Sequence, residues 1–202
     1  MKEIKLLNLL SKSDIEIATN TLTSAFEHDP CLRYILNSNE YHPEIAFQIH
    51  KQVVKSGLYF GHALSTSKSM EGVSVWMPPT KKNISIWDFI LSGGLSIPIK
   101  TIFRMNTYEN HALKVRNEIA IHDHWYLFSI GVHKEYQGKS YGTKMLKPIL
   151  DFIDQRNEYC YLETHNPNNI AFYEKHGFEL KNVTLLPKSN TEHYAMYRSP
   201  KK

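Results

Sequence analysis

Cysteine is scarce: Cys31 and Cys160 are the two in 202 residues, far apart in the chain and in no CxxC pair. That excludes a disulfide scaffold and points to a reducing, cytoplasmic setting. Long apolar runs are missing too. None reaches the roughly 18 residues that a spanning helix requires, so no membrane segment is expected. The opening Met1–Leu7 alternates charged and apolar residues too early for a signal peptide. Charge of one sign is in short supply, with 24 Lys and Arg against 20 Asp and Glu, a formal +4. Such an excess suits an anionic small ligand and is too small and scattered for a nucleic-acid partner. His122-Asp123-His124 invites a metal reading, but no third ligand follows at a diagnostic spacing, and no metal is expected. What remains is ordinary globular material, 42% apolar and 22% charged, of a length that fits one domain over 1–202.

Periodicity predicts an α/β chain on a mixed (α+β) sheet. Residues 2–7 read as a short strand. Ser13 and Glu16 have the spacing of a capping box and predict a helix that runs to about Glu27 and stops before Pro30. A second helix is expected over 43–59, opened by Pro43. Strands follow over 62–68 and 72–77, the latter ended by Pro78-Pro79. Gly93-Gly94 breaks the middle, and a helix is expected from about Pro98 to Ala120. The segment Trp125–Val132 is apolar on both faces, the mark of a central strand. Met145, Leu146, Ile149, Leu150 and Ile153 recur at helical spacing. Pro148 lies among them, at a cost of about 3 kcal/mol, and predicts a kink. Tyr159–Thr164 reads as a strand, so that strand, helix and strand give a parallel pair with a right-handed crossover. A short helix over 167–176 ends at Gly177, and strands over 178–185 and 191–198 close the sheet.

The most informative stretch is Gln137-Gly138-Lys139-Ser140-Tyr141-Gly142-Thr143, which joins the central strand to the helix carrying Pro148. Glycine lets main chain approach a ligand closely. Free amides in a helix's first turn, with about half a positive charge, favour a pyrophosphate, and Lys139 can add a cation. A Walker A loop would need glycine at position 133, where His133 stands, so that reading is rejected. The plain alternative is a glycine-containing turn with no ligand.

Gln137–Gly142 resembles the acetyl-CoA signature Q/R-x-x-G-x-G/A of the GCN5-related N-acetyltransferases, with Ser140 in place of its first glycine. Asn166–Phe178 is similar to the family's closing motif N-x-x-x-x-x-[LF]-Y-E-K-x-G-F. Ala25–Pro30, Val73–Pro79, His124–Leu127 and Tyr161–Thr164 are similar, in the same order, to landmarks of the branch containing puromycin N-acetyltransferase. The resemblance implies that family's fold: a mostly antiparallel central sheet with one parallel, splayed strand pair and helices on both faces. It implies acetyl transfer from acetyl-CoA to an amine. It also implies a donor site made by Ile130, Gly131 and Val132 beside the pantetheine arm, and by Gln137, Gly138, Lys139, Ser140, Tyr141, Gly142 and Thr143 at the pyrophosphate. Asn166, Asn169 and Phe172 of the closing motif complete it. By its place in that motif, Tyr173 is the expected general acid that protonates the leaving thiolate.

The base is less marked. Glu163 lies near the carboxyl ends of the expected parallel pair, where ligands bind in open α/β sheets; a solvated or salt-bridged glutamate is the plain alternative. Asp29 and His124 are weaker candidates for the same role. Phe26, Trp76 and Trp125 are candidate walls of an acceptor pocket, although most such aromatics are core. Gly131 is a candidate bulge or close-approach position. Serine tolerates a left-handed backbone poorly, so the conformation at Ser140 bears on the affinity of the turn. The expectation is a monomeric or homodimeric acetyltransferase for a small amine, with no nucleic-acid, membrane or metal partner. The alternatives are a protein or peptide N-acetyltransferase and an acyl-CoA-binding module without catalysis.

Overall fold

The computed structural model describes residues 6–38, 40–81 and 83–201. Among these, seven strands form one sheet: β1 (Asn8–Leu9), β2 (His62–Ser65), β3 (Gly72–Met77), β4 (His124–Val132), β5 (Tyr159–Thr164), β6 (Glu179–Leu185) and β7 (Glu192–Arg198). Their order is β1-β2-β3-β4-β5-β7-β6. Every neighbouring pair is antiparallel except β4 and β5. The helices are α1 (Ile15–Ala25), α2 (Pro30–Leu36), α3 (Pro43–Phe60), α4 (Ile86–Leu91), α5 (Ile99–Ile119), α6 (Tyr141–Gln155) and α7 (Ile170–Lys175). The crossover between β4 and β5 is α6, which runs through Pro148 as one helix. No helix among the described residues is long and apolar enough to cross a membrane.

Two local expectations shift, and one helix is added. The strand expected over 2–7 falls largely outside the described residues. Leu6 and Leu7 are a turn and a bend, and pairing begins at Asn8 opposite Ser65. The helix cap lies two residues earlier than Ser13. The Ser11 amide and hydroxyl both donate to Asp14 Oδ2, at 2.7 and 2.6 Å, because Ser11 still has an extended backbone while Ser13 is already inside a short 3-10 turn. The first helix stops before Pro30 as expected, at Ala25, and Pro30 itself opens a further helix, α2. Its missing N–H costs nothing at the first helical position, and Asp29 caps α2 by accepting from the Cys31 and Leu32 amides at 2.9 and 3.1 Å.

The two faces of the sheet sort the aromatics. Met145, Leu146, Ile149, Leu150 and Ile153 of α6 are at most 3% exposed and pack on Trp76, Trp125, Leu127, Leu162 and Met196. The opposite face packs Val73, Val75, Tyr126 and Tyr161 against Ala18 and Leu22 of α1 and Val54 of α3. Trp76 and Trp125 therefore belong to the α6 core and wall no acceptor pocket. Their ring N–H groups are spent inside it, Trp76 Nε1 on Ser74 Oγ at 3.1 Å and Trp125 Nε1 on Glu158 Oε2 at 2.6 Å. His124 is likewise 3% exposed, with Nδ1 donating to the His122 carbonyl at 2.8 Å and its ring against Tyr161 and Tyr197. It faces none of the cavities below.

The central pair opens as expected. Residues β4 and β5 share register at His124↔Tyr159, Trp125↔Cys160 and Tyr126↔Tyr161, and no further pairing joins them. From Leu127 onward β4 has no ladder partner on its β5-facing edge, where the Val132 carbonyl takes the Gln137 side chain instead. The bulge that accompanies this divergence is not at Gly131. Register with β3 passes from Val75↔Ser129 to Trp76↔Leu127, so Phe128 is the extra residue, and a bulge increases local twist. Gly131 answers to packing instead. A methyl group there would lie 2.7 Å from Ala25 Cβ and 3.0 Å from Leu22 Cδ2, so only glycine lets α1 seat on β4.

Candidate active site

Two spaces meet where β4 and β5 part. A groove of about 410 Å³ runs past the end of α1, the far half of β4 and α7. Its walls include Ile130, Gly131, Val132, Gln137, Gly142, Asn166, Asn169 and Phe172. An inner cavity of about 180 Å³ lies between α2, α3, α5 and the sheet, against Cys31, Tyr108, Glu109, Tyr126, Glu163 and His165. Phe26, Asp29, Ile130, Asn169 and Tyr173 line both, so they stand at the junction. An outer cavity of about 210 Å³ shares Gln52, Met105, Glu109, Tyr126 and Phe128 with the inner one and adds Arg116.

Local chemistry places each wall. Asn166 Oδ1 accepts from the Asn168 amide at 3.0 Å and starts the turn that leads into α7. Asn169 Nδ2 donates to Thr164 Oγ1 at 3.2 Å, tying that turn to the end of β5. Tyr173, one turn later, rests its ring on Phe172 and Phe178 and is 6% exposed. Burial first, and the Asp29 charge second, push its phenol well above the ordinary tyrosine value, so it stays protonated at neutral pH.

The turn before α6 carries two left-handed residues, Gly138 at φ 75° and Ser140 at φ 62°. Ser140 is the N-cap, and its carbonyl accepts the first helical bond, from the Lys144 amide at 3.0 Å. The amides of Tyr141, Gly142 and Thr143 open the helix with no intrahelical partner. Gln137 Nε2 donates back to the Val132 carbonyl at 3.1 Å. Lys139 Nζ folds onto the Glu135 carbonyl at 3.0 Å, over the Tyr136 ring. The residues between Gln137 and Gly142 thus form the exposed turn, not the wall of the groove. Serine in a left-handed conformation carries roughly 1–2 kcal/mol of strain. Ser140→Gly is expected to stabilise the fold by up to about 1 kcal/mol in urea unfolding, the gain limited by glycine's extra unfolded-state entropy. A clear loss with glycine would show that the Ser140 side chain does something the strain account omits.

The inner cavity is acidic. Burial pushes the Asp29 carboxyl up to about 6, against the pull of the two amides it caps. Glu109 lines the cavity from an exposed position on α5; the crowding of nearby atoms and then the Glu163 charge raise its carboxyl above the ordinary value, with Arg116 opposing. Glu163 Oε1 accepts from the Tyr126 hydroxyl and, at 3.4 Å, from the Tyr108 hydroxyl. The Tyr161 hydroxyl also lies within hydrogen-bonding reach of the Glu163 carboxylate, and burial together with that charge pushes the phenol up. Burial holds His50 near 4 and, with His193 adding to it, His165 near 3, so both rings are neutral. Asp29, Cys31 and His165 bring ligand atoms within 4.8 Å of one another, a donor set that a metal ion could use.

The spacing of the motifs thus led to Tyr173, Asp29, Phe26 and the groove-lining Ile130, Gly131, Val132, Gln137, Gly142, Asn166, Asn169 and Phe172, which the fold brings together, to Gly138, Lys139, Ser140, Tyr141 and Thr143, which do not line the groove, and to Glu163, which lines the inner cavity alone. It missed Tyr108, Glu109 and Arg116. Glu109 and Arg116 are seven apart on α5, two turns of one face, and that spacing is the one signal that could have found them.

Comparison with known proteins follows the same lines. Residues 111–178 match the model of the Acetyltransferase (GNAT) family. An uncharacterized N-acetyltransferase of Schizosaccharomyces pombe is 28% identical over 192 residues, 88% of this chain and 75% of that protein. A structure from Corynebacterium glutamicum, described as histone acetyltransferase HPA2 and related acetyltransferase, superposes with a TM-score of 0.64 at 18% identity, covering 97% of this chain and 96% of that one. Arylalkylamine N-acetyltransferase 2 from Aedes aegypti superposes with a TM-score of 0.63 at 12% identity, covering 96% and 98%. At those identities the two structures speak for the fold.

Proposed function

Because the chain belongs to the GNAT acetyltransferase family, we propose that it transfers the acetyl group of acetyl-CoA to a primary amine of a small molecule, by direct attack in a ternary complex. One observation carries this reading: Tyr173 and Asp29 stand where the groove beside the far half of β4 meets the cavity against α2, α3 and α5. The residues fit the donor. The unpaired edge of β4 offers main-chain groups to an amide-rich arm, and the turn at 137–143 offers free amides to a diphosphate. Bound acetyl-CoA supplies a thioester carbonyl and a thiolate leaving group.

The protein's own groups do the rest. Asp29, at the junction, accepts the proton that the attacking nitrogen must lose; a carboxyl with a value near 6 is ionised and still basic at neutral pH. A main-chain N–H of the β4 edge faces the carbonyl oxygen as negative charge develops there. Tyr173, kept protonated, gives its proton to the sulfur as the C–S bond breaks. Glu163, with one oxygen held by phenols, lines the cavity without lining the groove, and on this reading acts on the acceptor. The small cavity favours a small acceptor over a peptide. The Aedes aegypti protein, by its name, acts on arylalkylamines.

The test is release of free thiol from acetyl-CoA across a panel of small amines and short peptides, paired with a thermal shift against acetyl-CoA and ATP. Stabilisation by acetyl-CoA and release with small amines are expected. Because Asp29 works only ionised, turnover is expected to rise with pH through about 6, and Asp29→Asn should lack that limb. Acetyl-CoA binding with no transfer to any amine would leave a binding module.

A further inference from the structure

Helices α4 and α5 break a rule that the rest of the fold keeps. A surface helix normally turns polar residues to solvent. Here Ile86, Trp87 and Leu91 of α4, Leu95 of the turn after it, and Ile99 and Phe103 of α5 are each between 63 and 72% exposed. No other stretch of similar length among the described residues gathers as many large exposed apolar side chains. The inward faces are apolar too. Phe89 and Ile102 line the outer cavity with Ile86, and the turn folds so tightly onto α4 that a methyl group at Gly94 would stand 2.2 Å from the Phe89 ring. The polar side chains of the segment are mostly occupied. Asp88, Ser92 and Thr101 are buried, and Ser96 donates to Gln48 Oε1 at 3.0 Å. An exposed apolar patch of this kind marks a contact surface.

The charges around it say what fits. From Gly72 to Tyr108 the sequence holds Lys81, Lys82, Lys100 and Arg104 and a single acid, Asp88. That acid is spent on Lys81 Nζ at 2.6 Å and on the Ser85 amide and hydroxyl at 2.8 and 2.7 Å. Helix α3, packed against α4 and the turn, adds Lys51 and Lys55 beside one acid, Glu44 in its first turn. The Lys55 ammonium stands next to Gly93, before the turn. The acids of α5, Glu109 and Glu118, come only in its later turns. No ion pair among the described residues takes up Lys51, Lys55, Lys100 or Arg104. The formal +4 of the whole chain hides this local excess. We propose that the patch docks on an anionic lipid surface, its aromatic and aliphatic side chains entering between the headgroups and its lysines reaching the lipid phosphates. That is the composition of an interfacial helix. A second copy of the chain fits worse, since a two-fold contact would set the same cations face to face. A protein partner would find few free hydrogen-bonding groups to fix its register, and a lipid surface needs none. Ile86 belongs to both the patch and the outer cavity, so docking turns the acceptor side of the molecule toward the bilayer.

The experiment is flotation of the full chain with vesicles of phosphatidylcholine, alone or mixed with phosphatidylglycerol, read together with tryptophan emission and light scattering. Binding should be about tenfold tighter or more to the mixed vesicles and should weaken as salt rises. Emission should move to the blue on binding. That signal belongs to Trp87, because Trp76 and Trp125 are already buried. Replacing Trp87→Ser and Phe103→Ser together should cut binding about tenfold or more, and Lys55→Gln with Lys100→Gln should narrow the preference for the mixed vesicles. Equal binding to the two vesicle types, or binding to neither, overturns the proposal. Binding to neither, with a dimer that the serine pair dissolves, would give the patch to a second copy instead. Wild-type binding decides the matter even if a variant fails to fold. None of these readouts uses acetyl transfer, so their outcome is independent of the transferase reading.

Discussion

Tyr173→Phe is expected to lower the rate of acetyl transfer by about a hundredfold or more, the range of general acid catalysis, while leaving acetyl-CoA affinity within about twofold. The ring and the hydroxyl have separate duties. The ring packs on Phe172 and Phe178 in the α6-side core, and phenylalanine keeps those contacts. The hydroxyl is the part that can reach the junction. A merely structural tyrosine would show the opposite pattern, with stability changed and turnover kept. The readout is therefore split: kcat from thiol release, Kd from the acetyl-CoA thermal shift, and Tm without ligand. The free thiol of the product titrates near 8.5 by analogy with cysteine. Above that pH the departing thiolate no longer needs the proton, and the gap between wild type and variant should narrow. Unchanged kcat at pH 7 would remove Tyr173 from the chemistry.

Much of this site is readable from residue spacing, and the failures have physical causes. Strands β3, β4 and β5 and helix α6 follow directly from period and bounding turns, since each buries a whole face or both. The closing motif placed Tyr173 because α7 is short and fixed at both ends, by Asn166 and by Gly177 at φ 88°. Pro30 marked the end of the first helix correctly, but the short helix it opens went unread, because only the Asp29 cap shows that the proline stands at a first helical position. Trp76 and Trp125 misled because a strand alternates faces, and the face could be assigned only once the α6 stripe was known to cover it. The residues that set acceptor chemistry were the least legible. Polar and charged residues occur all round α5, so only the Glu109–Arg116 spacing marks the face bearing Glu109. Tyr108 and Tyr126 are two of twelve tyrosines until Glu163 gathers them. The donor side is written in local sequence, whereas the acceptor side is made by elements far apart in the chain.

The second large effect lies away from the chemistry. Arg198 on β7 is 2% exposed and forms a two-pronged bond with Asp154 near the end of α6, at 2.7 and 2.6 Å. Its Nε donates to the His176 carbonyl at 3.0 Å, and the Lys201 amide donates to the same aspartate at 2.9 Å. One pair thus ties α6, the end of α7 and β7 together behind the site. Asp154→Ala should cost about 3–5 kcal/mol, because it strands a buried guanidinium rather than merely deleting a contact. Replacing both partners with apolar residues of similar volume should cost much less. Stability against pH provides an independent check. Burial alone would raise the Asp154 carboxyl, but the bonds from Arg198 and the Lys201 amide override it and hold the group below its ordinary value. A depressed carboxyl contributes stability that is fully present above its unfolded value, near 3.9, and is lost as pH falls through the lower folded value. The wild type should therefore lose stability on the acid side of pH 4 more steeply than the apolar double variant. Equal acid slopes, or a single alanine costing under about 1 kcal/mol, would place the anchor of α6 in its apolar stripe alone. In that case the turn at the other end of α6, proposed to hold the diphosphate, is anchored by Met145, Leu146 and Ile149, and acetyl-CoA affinity should survive Asp154→Ala unchanged.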